Sequence, residues 1–164
     1  MEVQVRRGDL ADVDSLEPLW AGMVEQHREV AGAEWPVRAA ADAWRIRQAE
    51  YRAWLADGSG TLFIAEAAGM AAPVGYAMLQ VHAPGATWDL GALVGEVESL
   101  AVAADARGGG VGTALLAACR VDLSSRDIVY WSVAVVEANR GAVRLYEREG
   151  FRPYYRLLLG EVER

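Results

Sequence analysis

Apolar residues recur every three or four positions along two N-terminal stretches of the chain, after a short alternating segment. This spacing predicts a first strand at residues 3–6, "VQVR", followed by two amphipathic helices. The first helix covers residues 10–30 with Asp9 as its N-cap. The second covers about residues 36–55, with Pro36 in its first turn, and ends before the turn signal "DGSG".

From residue 61 the pattern is typical of strands. "TLFIAEA" and "PVGYAMLQVH" predict an antiparallel hairpin, and "LVGEVESLAVAA" predicts the next strand. A glycine turn and a helix at about residues 110–123 follow. The chain then predicts a buried strand in "DIVYWSVAVVE", a short helix in "NRGAVRLYEREGF" and a last strand in "RPYYRLLLGEV". This order of elements predicts a single α/β domain with a mixed sheet over residues 1–164.

Composition and charge narrow the classes of partner. The chain of 164 residues is 53% hydrophobic and 24% charged, and it contains a single cysteine, Cys119. It lacks an apolar run of the ~20 residues that a membrane-spanning helix needs, and its start lacks a secretory signal, so we expect a cytoplasmic protein. The net charge is −7 and every basic residue is an arginine. A negative field opposes nucleic acid and anionic membranes and mildly favours a cationic partner such as an amine.

The glycine turn, Arg107–Thr113, joins a predicted strand to a predicted helix. A nucleotide P-loop is excluded because its lysine is missing from the whole chain. A dinucleotide fingerprint fits poorly, because the sixth position of the motif is Thr113 rather than glycine. The turn fits an anion site in which backbone N–H groups at a helix N-terminus, helped by Arg107, hold a diphosphate. A flexible surface turn explains the glycines equally well when the turn is considered alone.

Two motifs together resemble those of the GNAT superfamily of acyl-CoA-dependent N-acyltransferases. The first is Arg-x-x-Gly-x-Gly after an apolar strand, and the second is Asn-x-x-Ala-x-x-Leu-Tyr-x-x-x-Gly-Phe. They comprise Arg107–Gly112 and Asn139, Ala142, Leu145, Tyr146, Gly150 and Phe151. The resemblance implies an α/β fold with a mixed, mostly antiparallel sheet of six to seven strands, about four flanking helices and splayed central strands.

The resemblance also implies where acetyl-CoA binds. The pantetheine arm would pair with the backbone of Leu100, Ala101 and Val102. The diphosphate would be held by Arg107, Gly108, Gly109, Gly110, Val111, Gly112 and Thr113. Asn139, Ala142 and Tyr146 would line the far wall, although helix capping by Asn139 and core packing by Tyr146 are the plainer interpretations of those residues.

Three residues are candidates for the proton transfers that acetyl transfer to an amine requires. Glu96 and Glu98 precede the pantetheine strand segment, and their period of two places both on one face. Either that face passes from cleft to core or a bulge resets the alternation before Leu100. We expect one glutamate, with Glu98 favoured, to take the amine proton, although a pair of solvated strand charges gives the same pattern. The Tyr146 hydroxyl is the expected proton donor to the thiolate leaving group.

Other candidates have weaker support. His27 and His82 are isolated in the sequence, so no metal-ligand spacing exists and no metal is expected. Cys119 lies on an apolar helix face and is predicted to be core. The resemblance therefore implies an N-acetyltransferase that passes acetyl directly from acetyl-CoA to an amine-bearing small molecule or peptide. A non-catalytic acyl-CoA sensor is the alternative, and a homodimer through the apolar last strand is a further expectation.

Overall fold

A computed structural model describes residues 2–162 of the chain. Met1 and residues 163–164 of the predicted domain lie outside the described residues. Five strands form one sheet in the order β1-β2-β3-β4-β5. They are β1 (Val3–Arg7), β2 (Gly60–Ala67), β3 (Gly75–His82), β4 (Val94–Val102) and β5 (Trp131–Val133). The first four strands are antiparallel neighbours, and β4 pairs with β5 in parallel, so the sheet is mixed and mostly antiparallel as predicted.

Four α-helices cover the sheet within the described residues: α1 (Glu17–Ala31), α2 (Ala40–Asp57), α3 (Val111–Ser125) and α4 (Arg140–Arg148). The two N-terminal helices start later than the sequence predicted. A 3-10 turn precedes α1, so Asp9 does not cap that helix, and its carboxylate accepts a hydrogen bond from the Ala11 N–H instead. Pro36 lies in the connection before α2 rather than in its first turn.

The sheet carries a bulge at the glutamates of β4. Met78 of β3 pairs with Ser99, whereas the next residue, Leu79, pairs with Val97, so Glu98 has no partner across this ladder. A residue left over in this way shifts the alternation of side chains between the two faces. Of the two alternatives for this strand, the bulge is therefore the one that the structure shows.

Strand β4 separates from β5 after a short contact. Three residue pairs join the two strands, ending at Val97 opposite Val133. β4 continues for five residues, 98–102, without a strand partner on that side, while residues 99–102 keep their pairing with β3. The central strands are thus splayed, and the backbone of β4 is open along one edge of the gap.

The expected six to seven strands are too many for the described residues, which contain five. Residues 152–162, predicted as the last strand, have no regular secondary structure, and three of their leucines are exposed. The predicted strand at residues 127–137 is reduced to Trp131–Val133. Both errors have one physical cause: apolar, β-prone sequence becomes a strand only where a neighbouring strand accepts its hydrogen bonds.

Two apolar clusters lie on opposite faces of the sheet. The first packs α3 and Tyr146 of α4 against side chains such as Leu79 and Val97. The second packs α1 and α2 against side chains such as Ile64 and Met78. None of the helices in the described residues is long and apolar enough to cross a membrane.

Candidate active site

The glycine turn leads directly into the N-terminus of α3. Gly110 is the N-cap, and the first helical hydrogen bond runs from the Ala114 N–H to the Gly110 carbonyl at 2.9 Å. The N–H groups of Val111, Gly112 and Thr113 precede that bond and therefore lack helical partners. No acidic side chain lies in the first turn of α3. These N–H groups and the helix dipole together favour an anion at this position.

Backbone geometry explains why two of these positions are glycine. Gly108 and Gly110 have φ values of +76° and +83°, in the left-handed region that disfavours other residues. A Cβ at either position would meet nothing within 4 Å, so the space beside both is open. Gly109 completes the turn, with its N–H 3.4 Å from the Ala106 carbonyl oxygen. The turn is exposed and shaped for close approach to the backbone.

Gly112 serves packing. A Cβ there would lie 2.9 Å from Leu145 Cδ2 of α4 and 4.0 Å from Leu100 Cδ2 of β4. The absence of a side chain thus lets the start of α3 pack closely against α4 beside the open segment of β4. Val111 is buried in the first cluster, so only its backbone can contribute to an anion site, whereas Thr113 is exposed.

The open edge of β4 includes the three residues predicted for pantetheine. Leu100, Ala101 and Val102 pair with β3 on one side and lack a strand on the other. Arg107 Nε donates to the Val102 carbonyl oxygen at 3.3 Å, which places this guanidinium at the end of the same edge. The open edge and the N-terminus of α3 therefore adjoin one another.

Helix α4 supplies the remaining predicted residues. Asn139 is its N-cap, and its Oδ1 accepts a hydrogen bond from the Ala142 N–H at 3.1 Å. The capping interpretation of Asn139 is thereby confirmed. Ala142 is half-buried and packs against the first cluster, which also contains the ring of Tyr146.

Tyr146 combines a buried ring with a free hydroxyl. Its ring packs edge-on against Phe151 at a centroid distance of 5.7 Å. Within residues 2–162 the hydroxyl makes no hydrogen bond, yet it is not sealed from the surface. Burial raises the pKa of Tyr146 to about 12, so the phenol keeps its proton at neutral pH.

Glu98 forms an ion pair with α2. Arg47 Nη1 donates to Glu98 Oε1 at 2.6 Å and lies 3.2 Å from Glu50 Oε2. The same guanidinium lies over three aromatic rings, 5.2 to 5.9 Å from the ring centroids of Trp20, Tyr51 and Trp54. Burial lowers the pKa of Arg47, but the hydrogen bond to Glu98 and the nearby charges raise it more, and the net direction is upward.

Glu96 contacts a histidine that the sequence did not connect to it. Glu96 Oε2 lies 3.0 Å from His82 Nε2, and His82 Nδ1 lies 2.8 Å from the Ala83 carbonyl oxygen. Gln80 pairs with Glu96 and His82 with Val94, so the histidine and the glutamate are diagonal neighbours on adjacent strands. The register of the hairpin was the signal for this contact, because 14 residues separate the two side chains in sequence.

Of the candidates with weaker support, His82 joins the site through Glu96, whereas Cys119 has a structural role. Cys119 is buried in the first cluster, as predicted, and burial raises the pKa of its thiol to about 12. Among the described residues no group of three or more histidine, cysteine, aspartate or glutamate side chains could hold a metal ion. Trp88 lies in the loop after β3, where it packs against Tyr154 at 5.2 Å between ring centroids.

Comparison with known proteins agrees with this geometry. The model of the acetyltransferase (GNAT) family matches residues 20–151, which include both motifs and all three proton-transfer candidates. A mycothiol acetyltransferase from Thermobispora bispora is 42% identical over 89 residues. That match covers 54% of this chain but only 29% of the length of the relative.

Solved structures share the whole fold. A GCN5-related N-acetyltransferase from Ralstonia eutropha superposes with a TM-score of 0.72 at 23% identity, covering 98% of this chain and 99% of that one. A predicted acetyltransferase from Clostridium acetobutylicum, solved with acetyl-CoA, superposes with a TM-score of 0.76 at 16% identity. Coverage there is 98% of this chain and 96% of that chain. At these identities the likeness establishes the fold.

Proposed function

The chain belongs to the GNAT family of acetyltransferases, and from that premise we propose that it is an acetyl-CoA-dependent N-acetyltransferase. It moves the acetyl group directly to a primary amine while both substrates are bound. Acetyl as the transferred group is supported by the name of the mycothiol acetyltransferase relative. A thioester is already activated, so this reaction needs positioning and proton transfer rather than a covalent enzyme nucleophile.

One observation carries the proposal: the open edge of β4 lies beside the N-terminus of α3, where no side chain caps the first N–H groups. The backbone of Leu100–Val102 offers N–H and C=O groups to the amides of a pantetheine arm, as a sheet edge does to an added strand. The free N–H groups of residues 111–113 suit the diphosphate, with Arg107 between the two. The residues present therefore fit acetyl-CoA.

The carboxylates and the phenol supply the proton steps. A glutamate at the bulge of β4, Glu96 or Glu98, removes a proton from the bound ammonium group and frees the lone pair that attacks the thioester carbonyl. Tyr146 donates a proton to the departing thiolate. Burial raises the pKa of Tyr146 to about 12, so the phenol still carries its proton when the carbon–sulfur bond breaks.

The acceptor is proposed to be an amine-bearing small molecule or peptide. The acid-rich composition, with a net charge of −7, favours a cationic acceptor over an anionic one. Glu98 meets Arg47 on the face of β4 against which α1 and α2 pack. Residues of these two helices would therefore line the acceptor's path to the glutamates.

Release of free CoA thiol from acetyl-CoA tests this function. We expect release that depends on an added primary amine, assayed with an alkylamine, an amino acid ester, an aminoglycoside and a peptide with a free N-terminus. Tight binding of acetyl-CoA without turnover on any of these amines would favour the acyl-CoA sensor instead.

A further inference from the structure

His82 lies between two hydrogen-bond acceptors. Its Nδ1 faces the Ala83 carbonyl oxygen at 2.8 Å, and its Nε2 faces Glu96 Oε2 at 3.0 Å. A neutral imidazole carries one N–H and can satisfy only one of these acceptors. When Glu96 is ionised, the site therefore lacks one proton that an imidazolium, or a protonated Glu96, would provide.

We propose that His82 and Glu96 form a proton-accepting pair that takes the proton of the acceptor amine. The inference rests on the proposed acetyl transfer and assigns the base within it. Glu96 receives the proton, and His82 is a positioning residue that shares it through Nε2. Uptake completes both hydrogen bonds of the imidazole, so the geometry of the pair favours it.

Glu98 differs from Glu96 because its partner, the Arg47 guanidinium, cannot accept a proton. Arg47 is a permanent cation, and its guanidinium contacts Glu98 at 2.6 Å while it lies over the Trp20 ring. Uptake of a proton by Glu98 would weaken this contact and leave the half-buried guanidinium with a poorer partner. The two glutamates therefore differ in their partners: Glu98 contacts a cation, and Glu96 contacts a histidine that can share a proton.

The His82–Glu96 pair lies close to the point where β4 and β5 separate. Glu96 pairs with Ser132 of β5, one position before the last contact at Val97. Glu98 lies two residues further along, about 7 Å at the rise of an extended strand. His82 and Glu96 are both half-exposed, with side-chain accessibilities of 41% and 31%, so an amine or a bridging water can reach them.

The protons balance as follows. The substrate ammonium gives one proton to the His82–Glu96 pair, which passes from a net charge of −1 to neutral. The amine attacks the thioester carbon, the carbon–sulfur bond breaks, and the thiolate takes a proton from Tyr146. The phenolate recovers a proton from the protonated nitrogen of the newly formed amide. The products are the amide, CoA thiol and one proton, which the pair returns to solvent.

Charged groups near the pair come from β4 and from α2. They are Glu98 on the same strand and its partner Arg47, which also contacts Glu50. Among the described residues His82 and Glu96 form no other ion pair than the one between them. Arg47 thus engages Glu98 and Glu50, and neither His82 nor Glu96 is among its ion-pair partners in the described residues.

The test compares His82→Gln, Glu96→Gln and Glu98→Gln in amine-dependent CoA release across pH. At neutral pH we expect kcat/KM to fall by about 10²-fold in Glu96→Gln and by about tenfold in His82→Gln. Both deficits should shrink towards pH ~10, where an alkylamine deprotonates without help. A loss in Glu98→Gln should persist at every pH, because it reflects the broken contact with Arg47. His27→Gln, on the face of α1, is the matched histidine control.

A second readout does not depend on turnover. The chain has two histidines, so ring ¹⁵N signals of labelled protein are assigned with His27→Gln. We expect Glu96→Gln to move the His82 ring signals towards the Nδ1–H tautomer, because the glutamine amide can donate a hydrogen bond to Nε2, and Glu98→Gln to leave them in place. Unchanged His82 signals in Glu96→Gln, or deficits that alkaline pH does not relieve, would overturn the pair. Failure of the wild type to release CoA would instead contradict the proposed function.

Discussion

Tyr146 is the residue that we propose as proton donor to the departing thiolate. Burial raises its pKa to about 12, so the phenol is protonated throughout the neutral range. Tyr146→Phe keeps the ring against Phe151 and removes only the hydroxyl. We expect kcat to fall by about 10²-fold with little change in the affinity for acetyl-CoA. Steady-state kinetics and calorimetric titration measure the two quantities, with Tyr130→Phe as the exposed control. Unchanged kcat would remove Tyr146 from the chemistry.

Two variants of Asn139 distinguish a role in capping α4 from a role in binding acetyl-CoA. Its Oδ1 caps α4 through the Ala142 N–H, so Asn139→Ala should lower the free energy of unfolding by about 1 kcal/mol. Asn139→Asp retains an oxygen cap but loses the amide N–H donors. If Asn139 also contacts acetyl-CoA, the aspartate variant should stay stable in urea denaturation and bind the cofactor more weakly. Wild-type affinity in that variant would leave capping as the whole role.

Residue types at the site were predictable from sequence, but their partners were not. The second motif indicated Tyr146, the spacing of two on the strand before the glycine turn indicated the two glutamates, and capping by Asn139 followed from its position before an amphipathic helix. Nothing local indicated that Arg47 pairs with Glu98, since the two are 51 residues apart and meet only after α2 packs on the sheet. The His82 contact depends in the same way on strand register.

The glycine turn is the element that should bind the diphosphate. Gly110→Ala places a Cβ in open space at a φ of +83°, and Gly58→Ala does the same at +77° at the end of α2. Both variants should lose about 1–2 kcal/mol of stability from the left-handed conformation. Calorimetric titration with CoA should show weaker binding in Gly110→Ala alone. Equal affinity in the two variants would contradict the proposed position of the diphosphate.

Helix α3 and strands β2–β4 were predicted within a few residues because each has its own periodicity and turn residues. The C-terminal segment was wrong, because the apolar run "YYRLLLGEV" indicates strand propensity but not a strand to pair with. Residues 98–102 illustrate the converse. Their hydrophobicity predicted a strand correctly, whereas the missing neighbour on one side, on which the proposed acetyl-CoA site depends, was not visible in that hydrophobicity.

At the scale of the whole molecule, an ion pair between Arg6 and Asp12 links β1 to the 3-10 turn before α1. Arg6 donates to both oxygens of Asp12, at 2.8 and 2.9 Å, and this hydrogen bond holds the Asp12 pKa below its usual 3.8. A depressed folded-state pKa stabilises the fold above pH ~4, and the contribution is lost as pH falls through that folded value.

Asp12→Asn should therefore be less stable than the wild type at neutral pH, and the difference should shrink towards pH ~2. Urea denaturation at several pH values measures this difference. Asp89→Asn is the control, because Asp89 is exposed and forms no ion pair among the described residues. A constant difference between Asp12→Asn and the wild type at all pH values would contradict the assigned ion pair.

The proposed acetyl transfer requires that acetyl-CoA occupy the gap between β4 and β5, with its diphosphate at the start of α3. A crystal structure with bound acetyl-CoA measures this most directly. We predict diphosphate oxygens within hydrogen-bond distance of the N–H groups of residues 111–113 and pantetheine amides paired with Leu100–Val102. Acetyl-CoA bound elsewhere, with the edge of β4 and the helix N-terminus both free of it, would contradict the account.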